Sequence, residues 1–258
     1  KLVKAKQYYE INQNEKAIQL LTGVDSASAQ KLKLRIAMKL GDIPYLNNEQ
    51  HYSQLPPKDK LSFTQFLNGR SEHPQCTFPL SAFASEYEHL LKWQAFDRTL
   101  QSHPMGQYYC MVEIKYIAPQ KHHCEMSADK PITCEEQMWA DVDIEKSSYY
   151  LALMLSAGGA NAHQGILYLD SHDSFEVFIH ELTHFAGFVD EYTLADGHQV
   201  CVSEQTEPFS HNIAILNSVY IGERDLVINQ LLAQIPWRDY LTEDAFNLVE
   251  LESNKWAV

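Results

Sequence analysis

The sequence predicts an α+β protein: a mixed sheet carrying one helix of unusual chemistry, preceded by a helical region. Three observations lead there. Apolar residues recur at helical spacing in the first 67 residues. From about Met105 the pattern changes to short runs of aromatic and β-branched residues, as strands require. A strand-like run, Gly165-Ile166-Leu167-Tyr168-Leu169, then leads into an apolar helix pattern that contains His180, Glu181 and His184.

The elements follow in chain order. Ala5, Tyr8 and Tyr9, then Asn12-Gln13-Asn14, then Ala17, Ile18, Leu20 and Leu21 read as a helical hairpin of tetratricopeptide type. A further helix is expected from about Ser26 to Leu40, with Ala29, Leu32, Ile36, Ala37 and Leu40 on one face and Gly41 as its stop. So few repeats do not make a solenoid, which needs three or more, and a plain helical bundle is an equal reading. Pro56-Pro57 marks a break, which divides the chain into a helical region, 1–67, and a second domain, 68–258. The helical region carries no candidate ligand. It is expected to be separable from the chemistry and is a candidate surface for a protein partner.

A loop over 68–79 is expected to precede a helix at 82–100. Residues 107–117 hold Tyr108, Tyr109, Val112, Ile114, Tyr116 and Ile117 and predict a strand. The stretch 124–136 reads as a loop, 147–155 as a helix, 157–162 as a flexible small-residue loop and 165–169 as a strand. Ser171 to Asp173 are expected to cap the next helix, with Glu176 completing a capping box. Helical patterns recur at 211–232 and 242–251.

Composition sets limits on function. The chain has 258 residues and a formal net charge of −14, which would repel a phosphate backbone and argues against a nucleic-acid partner. No apolar run approaches the roughly 20 residues of a membrane helix, so no membrane span is expected. The chain begins with Lys1 and shows no signal peptide, as a mature or trimmed product would. Of the five cysteines, Cys124 and Cys134 flank a short loop and predict a local disulfide. Cys76, Cys110 and Cys201 could supply one more bridge and one free thiol. Disulfides belong to oxidising compartments, so an extracytoplasmic location, periplasmic or secreted, is expected.

The chemistry concentrates in His180-Glu181-Leu182-Thr183-His184. Residues four apart on a helix project from nearly the same face, so His180 and His184 can bind one metal ion. Glu181 can then reach a water on that ion without being a ligand, and act as its general base. Phe175, Val177, Phe178, Ile179, Leu182, Phe185 and Ala186 make the rest of the segment apolar. Burying three polar groups among them is costly unless they share a partner, and a metal is such a partner. Gly187 can end the helix in a left-handed conformation, after which Asp190 can complete a three-ligand site.

His180-Glu181-x-x-His184-x-x-Gly187-x-x-Asp190 resembles the extended signature of metzincin metallopeptidases, in the variant with aspartate as third ligand. With Asp190-Glu191-Tyr192 and Ser210-His211-Asn212 downstream, it is similar to the bacterial IgA-specific metallopeptidase family, whose aspartate sits one residue further on. His-Glu-Leu-Thr-His also resembles the fungal deuterolysins, although their Gly-Thr-x-x-Asp segment is missing here. All six methionines precede His180, so the methionine turn of metzincins is absent. The resemblance implies a zincin-like catalytic domain in which the strand beside the metal helix is a sheet edge that binds extended peptides.

The expected function is that of a zinc-dependent endopeptidase acting on a peptide or protein substrate. Zinc would sit on His180, His184 and Asp190, with Glu181 as general base. Tyr192, Tyr220 and His211 are candidates to steady the oxyanion or touch substrate. Glu204 or Glu207 is an alternative third ligand, opposed by Pro208, which disfavours a helix there. Asp141, Asp143 and Glu145 read as a solvated acidic turn before a calcium site, and His122-His123 as adjacent residues that diverge. Two rival functions share these features: a catalytically idle binding protein on the same zinc fold, and a zinc amidase acting on a non-protein amide such as cell-wall peptide. An intact Glu181 speaks against the first.

Overall fold

A computed structural model of the chain describes residues 1–69, 76–127, 130–135, 142, 144, 148–190, 210–214, 219–240 and 248–257. Two compact units emerge, Lys1–Phe185 and Ala186–Val258. The expected boundary at 67 lies inside the first.

The first unit opens with α1 (Leu2–Glu10), α2 (Asn14–Leu21) and α3 (Ala27–Leu40). Ala5, Tyr9, Ala17, Leu21, Ala29, Leu32 and Ile36 interlock as a small core of their own. Ser26 caps α3 by accepting the Ala29 N–H, and Gly41 stops it at φ +69°. A Cβ at Gly41 would meet only the terminal amide of the Gln120 side chain, which can move aside, so it is the left-handed conformation that favours glycine. A short α4 (Ile43–Leu46) and α5 (Pro57–Asn68) follow. Pro57 stands in the first turn of α5, where its missing N–H costs nothing, so the proline pair starts a helix.

The sheet accounts for the rest of this unit. Its strands are β1 (Phe78–Ala84), β2 (Tyr109–Tyr116), β5 (Tyr150–Leu155), β6 (Asn161–His163) and β7 (Ile166–Asp170), with the two-residue pair β3 (Cys124–Glu125) and β4 (Thr133–Cys134) outside it. The order is β2-β1-β5-β7-β6. The first four run parallel, and β6 is antiparallel to β7 at the edge. Helices α6 (Tyr87–Leu100) and α7 (Phe175–His184) complete the unit. The protein is therefore α+β with a mixed sheet.

One core joins the helices to the sheet: Leu34, Met38, Phe63 and Phe66 share it with Leu80, Trp93, Met154 and Phe178. The Tyr116 hydroxyl of β2 donates to the Met38 carbonyl at 2.9 Å, and Lys39 pairs with Glu86 at 3.0 Å. Helices α3 to α5 are thus built into the body that carries α7.

Several sequence expectations are corrected here. Residues 150–155 form a central strand, not a helix, because the run Tyr-Leu-Ala-Leu-Met-Leu is apolar on both faces and its periodicity does not separate the two. The 82–100 stretch divides into β1 and then α6. The 157–162 stretch is not all loop, since β6 begins at Asn161. In the second unit, β8 (Val219–Ile221) precedes α8 (Arg224–Gln234), and β9 (Val249–Glu252) lies where a helix was expected. With β10 (Lys255–Ala257) these strands form a small antiparallel sheet in the order β8-β10-β9.

Cys124 is joined to Cys134 across β3 and β4, and Cys76 to Cys110. Cys201 lies outside the described residues. Two disulfides are consistent with a protein that works outside the cytoplasm. No helix among the described residues is long and apolar enough to cross a membrane.

The fold also makes a pH prediction. His122 is buried at 6% exposure, and burial, with a smaller contribution from His123, holds its imidazole at about 4. Burial likewise lowers His89 on α6, against the opposing pull of Glu86 and Glu88. Both stay neutral in the folded protein where unfolded histidines, near 6.5, take up protons. The unfolded state then binds more protons, so stability is full above about pH 6.5 and falls as pH drops toward 4. His122 alone accounts for on the order of 3 kcal/mol across that window. Urea melts of the parent and His122→Leu at several pH values should show a flatter profile for the variant. Identical profiles would contradict this assignment.

Candidate metal centre

The turn into α7 is tightly specified. Ser174 is the N-cap and accepts the Val177 N–H at 3.4 Å, one residue later than expected. Asp173 is engaged elsewhere: its Oδ2 accepts the Asp170 N–H at 2.6 Å. Asp170 Oδ1 in turn accepts the N–H groups of His172 at 2.6 Å and Asp173 at 3.2 Å. Lys92 of α6 donates to the carbonyl oxygens of Ser171, at 2.8 Å, and Asp173. These bonds fix where the helix begins.

Packing fixes its rotation. Phe178 and Leu182 are fully buried. The Phe178 ring stacks on Phe96 at 5.5 Å and meets the edge of Trp93 at 5.7 Å. Each such side chain contributes about 1.5–3 kcal/mol by leaving water. Past the last turn, Phe185 stacks on Tyr150 of β5 at 4.2 Å. With 178 and 182 facing inward, residues 180 and 184 must share the opposite side, about 40° apart around the axis. Residue 181 falls on the buried flank.

The side chains follow this geometry. His180 is exposed, His184 half-buried and Glu181 buried at 6% exposure. Among the described residues these three form the one group of potential ligands whose donor atoms all lie within 4.8 Å of one another. The imidazoles stand at 89° with centroids 5.0 Å apart, and Glu181 Oε2 lies 3.7 Å from His184 Nε2. Thr183 Oγ1 donates to the His180 carbonyl at 2.6 Å. Two imidazoles at this separation suit one small divalent cation with the Glu181 carboxylate beside it, and imidazole nitrogen is a donor that zinc accepts.

The other expected site residues fall as follows. Gly187 has φ +82°, the left-handed conformation expected of it. Asp190 is half-buried and belongs to the second unit. His211 in that unit is exposed, its ring 6.4 Å from Phe188. Tyr220 is buried against Val227 and Leu231, with its hydroxyl donating to Gln234 Oε1 at 3.4 Å. Tyr192, Glu191, Glu204, Glu207, Asp141, Asp143 and Glu145 lie outside the described residues. His122 is buried and His123 exposed, so the two diverge as adjacent residues do.

Sequence reasoning placed the sheet edge at the wrong strand. The strand that leads into α7, β7, lies between β5 and β6, and β6 is the edge. A signal for it was present. Gln164 and Gly165 make a two-residue connection with φ +47° and +83°, the both-positive pattern of a type I′ hairpin. Beside β6 lies a cavity of about 650 Å³, lined by Ile132, Thr133 and Glu135 and by Asn161, His163 and Tyr168.

Residues 139–255 match the family model of the IgA Peptidase M64 proteins. The match covers less than half of the chain and includes α7, its histidines and the segment through Asn212. It supports a metallopeptidase with likeness to the IgA-specific peptidase family, a class whose substrates are peptides or proteins. No curated protein and no solved structure matches the chain.

Proposed function

We propose that the protein is a zinc-dependent endopeptidase that uses His180, His184 and Asp190 as ligands and Glu181 as general base. The observation that carries this reading is the clustering of His180, Glu181 and His184 within 4.8 Å on one helix, with the carboxylate buried. The matched peptidase family supplies the reaction class.

Each residue has a defined task. The two imidazoles would hold the ion, with the packing of Phe178 and Leu182 setting the helix face from which they project. Asp190, after the Gly187 turn, would be the third ligand. Zinc, when bound, lowers the pKa of water toward neutrality and polarises the substrate carbonyl. Glu181 takes a proton from the attacking water on a carboxylate oxygen and passes it to the leaving amine nitrogen. Tyr192 and His211 are the candidates to donate to the oxyanion, whereas the Tyr220 hydroxyl is already directed at Gln234. Substrate lies extended along β6 and adds a strand to the sheet, so affinity comes from backbone hydrogen bonds.

Metal analysis tests the ligand set. The purified protein should contain one zinc per chain, and His180→Ala or His184→Ala should each abolish retention through gel filtration. Parent protein that holds no zinc after incubation with excess metal would rule the reading out.

A further inference from the structure

We infer that Asn212 and Ser210 are positioning residues that hold the backbone of the third-ligand segment; this rests on the reading of Asp190 as a ligand. The Asn212 side chain grips one residue at both ends of its peptide group. Its Oδ1 accepts the Val189 N–H at 3.1 Å, and its Nδ2 donates to the Val189 carbonyl at 2.7 Å. This two-point bond reproduces a β-bridge with a side chain. It also fixes the amide orientation, because the flipped amide would set donor against donor and acceptor against acceptor. Ser210 Oγ lies 2.7 Å from the Gly187 carbonyl and 2.6 Å from Asn212 Oδ1, so its one proton serves either acceptor.

The consequence follows from chain connectivity. Gly187 turns the chain at φ +82°, a conformation that leaves the next residues without a helix or sheet to hold them. Val189, the immediate neighbour of Asp190, takes both of its backbone hydrogen bonds from Asn212. A ligand on an irregular segment binds a metal tightly only if its backbone is ordered beforehand, otherwise binding must supply the ordering entropy. The clamp orders it. All of these atoms lie in the second unit, so the geometry does not depend on how the two units are arranged.

Asn212 and Ser210 thereby act on metal affinity through Asp190 without touching the ion. Supporting residues of this kind change affinity by about 10–100-fold. The test is zinc competition against a chromophoric chelator, with circular dichroism as a check on folding, for Asn212→Ala, Ser210→Ala and Asp190→Ala. Asn212→Ala should retain the parent circular dichroism, lose about 10–100-fold in zinc affinity, and recover peptide cleavage at saturating zinc with KM unchanged. Ser210→Ala should lose affinity in the same direction and by less. If Asn212→Ala does not fold, Ser210→Ala decides, and parent-like affinity there overturns the inference. If Asp190→Ala weakens zinc while Asn212→Ala does not, the clamp is wrong and the ligand assignment stands. If Asp190→Ala itself binds zinc like the parent, the ligand assignment fails and the clamp falls with it.

Discussion

Glu181→Gln should retain zinc and lose peptide hydrolysis by about 10²–10⁴-fold, the usual contribution of a general base. The substitution changes almost nothing but the ability to take a proton. The amide is nearly isosteric, and the buried position that Glu181 occupies on the flank of α7 already accommodates a side chain of that size. The turn before the helix, with Lys92 on Ser171, and the Phe178 contacts with Trp93 and Phe96 are untouched, so both histidines keep their places. An amide in a buried site does not become basic, and Glu181 is the one carboxylate that clusters within 4.8 Å of both histidines among the described residues. The comparison is of kcat/KM at equal zinc occupancy. Equal rates for parent and variant would remove Glu181 from the mechanism.

Asp190→Ala should lower zinc affinity by several orders of magnitude, while Glu191→Ala should leave the metal bound. On the proposed ligand set, the substitution would remove one of three protein ligands and a charged donor with it. Asp190 follows Val189, whose backbone is held by Asn212, and stands at the spacing from His184 that the extended motif gives its third ligand. Glu191 is adjacent, and neighbouring side chains diverge, so the two residues do not share one ion easily. Competition with a chelator measures both variants. Loss of zinc in Glu191→Ala with retention in Asp190→Ala would reverse the assignment.

The His180, Glu181 and His184 cluster was more legible in the sequence than the fold around it. His180, Glu181 and His184 are close in the chain, and helical geometry alone brings them together. Gly187 announced its left-handed turn because few other residues adopt one. The Cys124–Cys134 bridge joins residues ten apart in sequence, a separation that left few alternatives. What sequence reasoning missed was settled by distant partners. Residues 150–155 become a strand because β1 and β7 flank them on both sides, and a short apolar run does not reveal that. Asp173 lost the cap to Ser174 because the β7–α7 turn claimed its carboxylate. The edge strand β6 is three residues long and only its Gln164-Gly165 turn gave a local sign. The joining of α3, α5 and the sheet in one core depends on long-range contacts such as Tyr116 with Met38, which no local pattern encodes.

The most direct test of metal-dependent peptide hydrolysis at His180, Glu181 and His184 is cleavage of a mixed peptide library, analysed by mass spectrometry. Four samples are compared: the zinc-loaded parent, the same protein stripped by chelation, the stripped protein with zinc restored, and zinc-loaded Glu181→Gln. The account predicts cut internal peptide bonds in the first and third samples only. Cleavage that survives both chelation and Glu181→Gln, or a fully zinc-loaded parent that cuts no peptide in the library, would contradict it.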